Sequence, residues 1–382
     1  MDIEARAMIE QVCDGILRQV DRAYMAQCGR ANTAPDKLWR AMAEGGLFAL
    51  GMPEEHGGVG GDITAVIYAL DLLGRAGIFP TRYVTTQMAM VTLARNANDE
   101  QKRRYLAPTI AGDLFWSFAL TEADAGTNSF KIRTRAERQA NGDYVVNGAK
   151  MWITGIHDAD WSILVARTSG FDADDRRVGM SAFIIDPKSP GITIKPLDIG
   201  VHMADKSNEV VFDNVVVPAG NLLATEGRGL NALFDSLNPE RLMAAGLNVG
   251  LADYILSKTA DYAKMRAPFD VPIGSYQGVQ VPMGHAKVRV ESARALAYQA
   301  AEKYGRGEEA GLESNMAKAA AADAIMAAAD IGMNTFGGAS LDMQQDMIPF
   351  YLWAKFQEIA PINKNVTLCH IAMNSWGLPK SY

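Results

Sequence analysis

The chain has 382 residues, a formal net charge of −7 and 48% hydrophobic residues. This length allows two or three domains around a large core, and the acidic balance argues against nucleic acid or an anionic membrane as the main partner. No stretch is apolar over the length of a membrane span. The three cysteines form no C-x-x-C pair and the first residues contain no apolar signal core, so we predict a cytoplasmic protein without disulfides.

Residues 1–115 predict an N-terminal helical domain. Apolar residues recur at intervals of three and four from residue 2 to about residue 29, which indicates one long helix there. A glycine-rich loop at 53–58 is too flexible for regular structure. Further helices are predicted for 38–45, for 63–75, from Thr81 onward and briefly from Asp99.

Residues 116–224 change to the period of β-structure and predict a central antiparallel β domain. The tight-turn signal Asn141-Gly142-Asp143 separates two strand-like runs. Glycine and proline interrupt the later runs at short intervals, as in a domain of short strands. The predicted strands cover 133–138, 144–146, 162–167, 180–185, 192–196 and 209–217.

Residues 225–382 return to the helical period and predict a C-terminal domain resembling a four-helix bundle. Asn238-Pro239-Glu240 indicates a helix start, because asparagine is a good N-cap and proline fits the first turn. The alanine-rich segment 317–329 suits close helix packing, in the interior or at a subunit contact. Later helices are predicted for 276–304, for 312–336 and, with a break at Pro361, for 349–376. The fold class is therefore α+β.

Several common site motifs are missing from the sequence. There is no G-x-G-x-x-G and no P-loop, which argues against a Rossmann NAD enzyme or an NTPase. No G-x-S-x-G elbow supports a hydrolase. The five histidines lack metal-ligand spacing, so we expect no metal. They are His56, His157, His202, His285 and His370.

Six segments carry a family resemblance, and two of them, the glycine-rich loop at 53–58 and Asp-Glu-Gln-Lys at 99–102, come before the signatures. Ala-Leu-Thr-Glu-Ala-Asp-Ala-Gly-Thr at 119–127 resembles a signature of the acyl-CoA dehydrogenase family, and Asn-Gly-Ala-Lys-Met-Trp-Ile-Thr at 147–154 resembles its second signature. Arg-Ala-Pro-Phe at 266–269, followed by Gln-Gly-Val-Gln, and Phe-Gly-Gly at 336–338 continue in the family's order. The resemblance spans about residue 40 to the C-terminus. It implies helical, β and helical domains, FAD, and a homotetramer or dimer with FAD at a subunit contact.

The sequence also departs from the family pattern. Ala123 replaces a usual proline, and Thr127-Asn128 replaces Ser-Asp with hydrogen-bonding capacity retained. Asp270 and Ser340 replace glycines at positions where the resemblance implies contact with the pyrophosphate. The largest departure is Pro361, at the position where many members carry the glutamate that removes the substrate α-proton. A proline cannot act as that base.

Glu240 is the candidate catalytic base. Isovaleryl-CoA-type and long-chain-type members carry their base at the glutamate before arginine on this helix, and Glu240-Arg241 resembles that pair. The reaction needs a carboxylate within reach of the α-proton and donors that polarise the thioester oxygen. The alternative is a glutamate that only complements a positive helix N-terminus. Glu358 and Asp346 are expected to be solvated or paired surface acids, and Glu122 a structural acid.

The resemblance also implies a set of cofactor-binding residues. Thr121 and Thr154 would offer hydroxyls to the flavin ring and Trp152 an aromatic wall, the alternative being ordinary strand packing. Arg266 would meet the FAD pyrophosphate, for which its forked guanidinium is suited. Glycines at 337 and 338 would allow close backbone approach. The full expected set is Leu120, Thr121, Trp152, Thr154, Arg266, Phe269, Gln277, Asn334, Gly337, Gly338, Asn363 and Asn365.

Four further residues are expected to bind substrate. Ser129 and Arg241 resemble residues that contact the CoA moiety; a turn role for Ser129 and a surface salt bridge for Arg241 are the alternatives. The helix from Thr81 would form a wall of the acyl pocket, with Tyr83 and Gln87 as candidate contacts for a short or polar acyl group.

Three functions remain open from the sequence. The first is an FAD-dependent acyl-CoA dehydrogenase that passes electrons to an electron-transfer flavoprotein. The second is an enoyl-CoA reductase resembling the crotonobetainyl-CoA type, or another flavin-dependent oxidoreductase of CoA thioesters. The third is a family member that binds flavin or CoA without turnover, as a partner subunit. Proton donation and abstraction use one group, so the sequence does not set the direction.

Overall fold

A computed structural model shows helical, β and helical blocks in sequence order, as predicted. It describes residues 1–172, 174–176, 178–201 and 204–381. His202, one of the five histidines considered above, lies outside the described residues.

The N-terminal block begins with two helices rather than the single predicted one. The first ends at Leu17, and the Asp21 carboxylate accepts a hydrogen bond from Tyr24 N at 2.8 Å, which caps the second. A π-helical turn, Lys102–Leu106, joins the last two helices. The helices are α1 (Ile3–Leu17), α2 (Arg22–Ala31), α3 (Asp36–Glu44), α4 (Ile63–Arg75), α5 (Thr81–Asn96), α6 (Asp99–Gln101) and α7 (Ala107–Ile110).

The central block forms one sheet of eight strands within the described residues. Their order across the sheet is β6-β7-β3-β2-β4-β5-β8, with β1 beside β4. The strands are β1 (Trp116–Ala119), β2 (Arg135–Arg138), β3 (Tyr144–Thr154), β4 (Trp161–Arg167), β5 (Met180–Ile185), β6 (Ile192–Pro196), β7 (Ser207–Val217) and β8 (Leu222–Leu223).

The sheet is mainly antiparallel, as predicted, but it also contains two parallel pairings that were not predicted. Strand β1 runs parallel to β4, with Trp116 opposite Trp161, and β2 also pairs parallel to β4. The turn at Asn141-Gly142-Asp143 joins β2 and β3 in an antiparallel hairpin, as expected. Parallel partners are distant in the sequence and are not joined by a tight turn, so no local sequence pattern indicates that they pair.

The C-terminal block is helical, and α10 lies in the protein interior. Ala317, Ala321, Ala324 and Ala328 on this helix are fully buried, which confirms the interior packing expected of the alanine-rich segment. No helix in the described residues combines the length and apolar character needed to cross a membrane. The helices are α8 (Gly229–Met265), α9 (Gln277–Gly305), α10 (Gly311–Phe336), α11 (Ile348–Ile359) and α12 (Lys364–Trp376).

Helix α8 begins at Gly229, so the helix start predicted at Asn238-Pro239-Glu240 is wrong. Gly229 packs so closely on β5 that an added Cβ would lie 2.2 Å from Ala182 N. Pro239 has no N–H to bond the carbonyl of Asp235, four residues earlier. Tyr304 Oη donates a hydrogen bond to that carbonyl at 3.3 Å instead, so the helix continues through the proline.

Ion pairs that are at least partly buried link the N-terminal block to the other two blocks. Arg82 on α5 pairs with Asp158 at 2.5 Å and with Asp205, both in loops of the β block. Arg22 on α2 pairs with Asp346, which precedes α11, at 2.6 Å. Each pair therefore links the N-terminal helices to one of the other blocks.

A buried ion pair also fixes the first signature segment. Glu122 Oε1 accepts hydrogen bonds from Lys150 Nζ at 2.8 Å and from Thr134 N at 3.0 Å, and Oε2 accepts one from Arg133 N at 2.6 Å. Lys150 Nζ also donates to the carbonyl of Leu120 at 2.9 Å. Burial lowers the pKa of Lys150 to about 8, although Glu122 opposes this shift. Glu122 is thus a structural acid that joins β3 and the residues just before β2 to the loop after β1.

Lys150→Met is expected to lower the free energy of unfolding by about 3–5 kcal/mol, because Glu122 would remain buried without its cation. Urea unfolding followed by circular dichroism measures this change. Arg138→Met is the matched control, since Arg138 meets Glu226 at 3.7 Å with both side chains partly exposed. The control should lose less than about 1 kcal/mol. Equal losses in the two variants would contradict the structural role.

Candidate functional site

The end of β3 displays an aromatic side chain at the surface. The pairing of β3 with β7 is irregular between Lys150 and Ile153, and Trp152 has a φ of 66°. This left-handed backbone is strained for a bulky residue and is often found at functional sites. The side chain of Trp152 is 57% exposed. The indole is therefore available as a wall for a flat ligand.

Free hydroxyl groups lie on the same two signature segments. Thr121 and Thr154 are half-buried, and their hydroxyls have no hydrogen-bond partner among the described residues. The Thr121 carbonyl accepts a hydrogen bond from Met151 N at 2.9 Å, which joins the first segment to β3. Leu120, beside it, is half-buried and held by Lys150. The structure thus brings the two signature segments together, with donors left for a ligand.

A second group of expected cofactor residues lies between α8 and α9. Arg266, Phe269 and Gln277 are all exposed in the single chain, Phe269 to 79%. The side chains of Arg266 and Gln277 have no hydrogen bond or ion pair with any described residue. Met265 is 77% exposed beside them. This surface combines free polar donors with apolar groups that a single chain leaves uncovered.

The loop after α10 allows close approach of a ligand to the backbone. Gly337 has φ 57° and ψ −134°, a conformation that residues with a side chain rarely adopt. A Cβ added at Gly337 or Gly338 would meet nothing within 4 Å. Ser340 Oγ donates to the Gly337 carbonyl at 2.7 Å and fixes the turn. Asn334 instead turns its amide toward Asp330 O, at 2.9 Å on its own helix.

The two asparagines expected near adenosine lie at the start of α12. Asn363 is the N-cap of this helix, and its side chain accepts a hydrogen bond from Asn365 N at 2.9 Å. The side chain of Asn365 is exposed. A capping role explains Asn363 without a ligand, and adenosine contact stays a prediction for both residues.

Glu240 lies within α8 and is half-buried, with no hydrogen bond or ion pair to any described residue. Burial raises its pKa to about 7, while the positive charges of Arg241 and Lys318 act in the opposite direction. Because α8 starts at Gly229, Glu240 is far from the helix N-terminus and does not complement it. The structural alternative that the sequence left open is thereby excluded.

Lys318 on α10 is a residue that the sequence analysis missed. It is fully buried, and its Nζ donates to the carbonyls of Gln357 at 2.9 Å and Ile362 at 2.6 Å. These carbonyls bracket the joint between α11 and α12 that contains Pro361. Burial lowers the pKa of Lys318 to about 8. A lysine inside an alanine-rich run was the available signal, since a lysine is rarely buried without partners.

Arg241 is half-buried and makes no salt bridge with a described residue, so the predicted alternative of a surface salt bridge is wrong. Its Nη1 donates to Asn238 Oδ1 at 2.9 Å. Burial lowers its pKa, and Glu240 opposes this shift. Its charge is therefore available to a ligand beside Glu240.

Tyr83 and Gln87 lie inside the N-terminal core rather than on an accessible wall. Gln87 Nε2 donates to Tyr83 Oη at 3.0 Å, and Tyr83 Oη donates to the carbonyl of Leu47 at 3.1 Å. Both side chains are about 1% exposed. These contacts give both residues a packing role, and acyl contact remains a prediction that the geometry does not support.

Ser129 opens the short 3-10 turn Ser129–Lys131 and is half-buried. Its Oγ donates to the carbonyl of Gly126 at 3.4 Å, a long contact of the turn type. The hydroxyl is thus only weakly engaged, and CoA contact stays a prediction.

The other acids considered above have partners. Glu358 pairs with Lys355 at 2.6 Å and with Lys364 at 3.1 Å. Asp346 is paired with Arg22 but is buried, not on the surface as predicted. No group of three or more histidine, cysteine or acidic side chains in the described residues could hold a metal ion.

Comparison with protein families covers all three blocks. The acyl-CoA dehydrogenase N-terminal, middle and C-terminal domains match residues 3–113, 117–215 and 227–375. The chain belongs to the acyl-CoA dehydrogenase family. Members of this family are FAD-dependent oxidoreductases that act on CH–CH bonds.

Individual members of the family resemble the whole chain. Acyl-CoA dehydrogenase FadE12 of Mycobacterium tuberculosis is 30% identical over 100% of this chain and 98% of its own. The 3-(aryl)acrylate reductase of Clostridium sporogenes is 30% identical over 87% of this chain and 86% of its own. The solved structure of glutaryl-coenzyme A dehydrogenase with glutaryl-CoA is 29% identical, with a TM-score of 0.93, over 100% of this chain and 97% of that chain.

The donor set fits the FAD of this family. The exposed Trp152 face and the free hydroxyls of Thr121 and Thr154 suit a flat polar ring. The free guanidinium of Arg266 and the open backbone at Gly337 suit a pyrophosphate. Both halves of the cofactor therefore have matching groups on this chain.

Lys318→Met is expected to raise the pKa of Glu240 further above about 7, because a positive charge that lowers it is removed. Infrared titration of the protonated carboxyl band, with the spectrum of Glu240→Gln subtracted, measures this pKa. Lys355→Met is the control, since it removes an exposed lysine that pairs with Glu358. An unchanged or lower pKa in Lys318→Met would contradict the coupling.

Proposed function

We propose that this protein dehydrogenates an acyl-CoA thioester between Cα and Cβ, with Glu240 as the base that removes the α-proton. The proposal rests on the environment of this carboxyl group. It is half-buried, lacks a partner among the described residues and has a pKa raised by burial to about 7. A base of this strength is suited to abstract a weakly acidic proton at neutral pH.

FAD, when bound, supplies the acceptor for the hydride that leaves the β-carbon. The residues proposed to hold its ring are Leu120, Thr121, Trp152 and Thr154. Arg266 and Gln277 offer donors to its pyrophosphate, and Phe269 an apolar contact beside them. Their exposure in the single chain supports the expected subunit contact at this surface.

The substrate class proposed is a CoA thioester, in keeping with the family. Arg241 lies next to Glu240 without a salt bridge and is proposed to contact the CoA moiety. Ser129, whose hydroxyl is weakly engaged in its turn, is the second proposed contact. The structure of the related glutaryl-coenzyme A dehydrogenase holds a CoA thioester on the same fold.

The reverse reaction, reduction of an enoyl thioester, is the second candidate. With a pKa of about 7, about half of the Glu240 groups carry a proton at neutral pH and can donate it. The relative named 3-(aryl)acrylate reductase works on an unsaturated acid in the reductive direction. The carboxyl group of Glu240 serves either direction.

Further partners follow from the same proposal. An electron-transfer flavoprotein is proposed as the electron acceptor, on the basis of family membership. A homotetramer or dimer is proposed because large apolar side chains of the C-terminal block are exposed, among them Met265, Phe269 and Val288.

The free cysteines Cys13, Cys28 and Cys369 support a reducing compartment, for which we propose the cytoplasm.

Glu240→Gln is expected to keep FAD bound and to lose substrate-dependent bleaching by at least about 1000-fold in rate, because the amide cannot accept the proton. Anaerobic stopped-flow measurement of flavin absorbance gives this rate. Glu358→Gln is the control, since it removes a carboxylate already paired with two lysines. Undiminished bleaching in Glu240→Gln would contradict the proposal that Glu240 is the catalytic base.

The rate of flavin reduction should fall as the pH drops below about 7, since only deprotonated Glu240 accepts the α-proton. The expected slope is about tenfold per pH unit well below the pKa. Single-turnover rates across the pH range test this. For enoyl reduction the sign reverses, because protonated Glu240 is needed and the rate falls above about 7.

An anaerobic titration with saturated and unsaturated acyl-CoAs distinguishes the open functions. Bleaching by a saturated thioester supports dehydrogenation. Reoxidation of reduced flavin by an enoyl thioester alone supports the reductase. A flavin that responds to neither identifies a silent partner subunit, and the proposed function is then wrong.

A further inference from the structure

A cavity of about 440 Å³ lies where α6 and the π-helical turn Lys102–Leu106 meet the β block. Its volume is in the range of small-molecule sites. None of its described lining residues belongs to the positions proposed above for the flavin, the base or the CoA thioester. The lining includes Glu100, Arg104, Tyr105, Trp161, Ile185 and Asp186.

The π-helical turn separates two opposite charges at this cavity. In a regular α-helix, residues four apart such as Glu100 and Arg104 lie on one face and can form an ion pair. A π-helical turn changes this register, and such turns are frequently found at functional sites. Here neither side chain makes an ion pair with the other or elsewhere in the described part of the chain. Both charges are therefore available at the cavity.

Tyr105 contributes a buried hydroxyl group that the fold does not use. The residue is 2% exposed, and its Oη has no hydrogen-bond partner among the described residues. Burial raises the pKa of Tyr105, Arg104 lowers it and Glu100 raises it further, so both charges lie within electrostatic range of the hydroxyl. A buried hydroxyl without a partner is costly, and an acceptor on a ligand would remove that cost.

Arg104 is held beside two aromatic rings rather than by a carboxylate. Its guanidinium carbon lies 5.2 Å from the ring centroid of Tyr105 and 5.8 Å from that of Trp161. The two rings are in edge contact, with centroids 4.9 Å apart. Cation–π attraction positions the guanidinium but leaves its N–H groups free. A carboxylate suits this fork, and the Tyr105 hydroxyl adds a further donor.

The remaining lining combines apolar side chains with a second acid. Ile185 and Val217 are buried, and Asp186 is half-buried, with its carboxylate accepting a hydrogen bond from Lys188 N at 2.8 Å. Together with Glu100, two acids stand against one cation in the described lining. This excess of negative charge would repel a simple anion, whereas a ligand that also carries a positive group matches both signs.

Side-chain amides hold the walls of the cavity in place. Gln101 Nε2 donates to the carbonyls of Gly220 at 3.0 Å and Leu222 at 2.8 Å, and Asn221 Nδ2 donates to the carbonyl of Ile184 at 2.8 Å. These bonds join α6 and β5 to the segment that contains β8. A cavity that is already formed loses little entropy when a ligand binds.

We propose that this cavity binds a free α-amino acid with an apolar side chain. The Arg104 guanidinium and the Tyr105 hydroxyl hold its carboxylate. Its ammonium group faces Glu100 and Asp186, and its side chain packs against the apolar wall that includes Ile185. The site is separate from the residues of the proposed reaction, and its tests measure binding without turnover. A failure of the proposed function would therefore leave them unaffected.

The first test measures binding of L-leucine to the FAD-loaded protein by calorimetry. Two analogues serve as controls: 4-methylpentanoate lacks the ammonium group and 3-methylbutylamine lacks the carboxylate. L-Leucine should bind at least about tenfold more tightly than either, because each analogue loses one set of charged contacts. Absence of saturable L-leucine binding, or equal affinity for 4-methylpentanoate, overturns the proposal.

The second test locates the carboxylate contacts. Tyr105→Phe should weaken L-leucine binding about fivefold at an unchanged or slightly higher melting temperature, because it removes a hydroxyl that has no partner in the fold. Arg104→Gln should weaken it at least about tenfold. Arg103→Gln is the matched control, since Arg103 is an exposed arginine of the same turn that does not line the cavity. Full affinity in Tyr105→Phe and Arg104→Gln, or an equal loss in Arg103→Gln, contradicts the proposed site.

The third test locates the ammonium group. Glu100→Gln/Asp186→Asn keeps the shape of both side chains and removes their charges. It should weaken binding of L-leucine about tenfold and strengthen binding of 4-methylpentanoate, because the repulsion of a carboxylate is removed. Equal weakening of both ligands would show that the acids do not face an ammonium group and would overturn the amino-acid assignment.

Discussion

The buried pair of Glu122 and Lys150 is the interaction on which the site depends. A carboxylate and an ammonium group at 2.8 Å in the interior are stable only because each has further hydrogen bonds to the backbone. Those bonds reach Leu120 on one side and Arg133 and Thr134 on the other. The same pair therefore joins the segment proposed to face the flavin to the backbone that leads into β2.

The reactive carboxyl group depends on a different kind of constraint. Pro361 removes the acid that many family members place between the last two helices, and Lys318 fixes the carbonyls on either side of that joint. The pKa of Glu240 is raised because the carboxyl group is buried without a partner, and the nearby cations limit this rise. Burial raises the pKa of Glu240 and positive charge lowers it, so the pKa stays near 7. The carboxyl group can therefore take up or release a proton at neutral pH.

Local patterns predicted the helices and most strands, because periodicity and turn residues act over short distances. Most of the wrong predictions lie where contacts between residues far apart in the chain determine the local structure. Helix α8 runs through Pro239 because Tyr304, from another helix, satisfies the carbonyl that proline leaves free. The division of the first predicted helix is the exception, since the Asp21 cap that starts the second helix is a local contact with Tyr24. The parallel pairing of β1 with β4 joins segments separated by a hairpin, and no single stretch encodes it.

The sequence by itself determined the family, the order of helical and β blocks, and Glu240 as the candidate base, since motif order and residue identity carry that information. Tertiary structure alone decided that Glu240 is half-buried and without a partner, that Tyr83 and Gln87 are sealed in a core, and that Lys318 is buried beside the last joint. Burial and the electrostatic environment arise from contacts between residues far apart in the chain, so no local pattern can specify them.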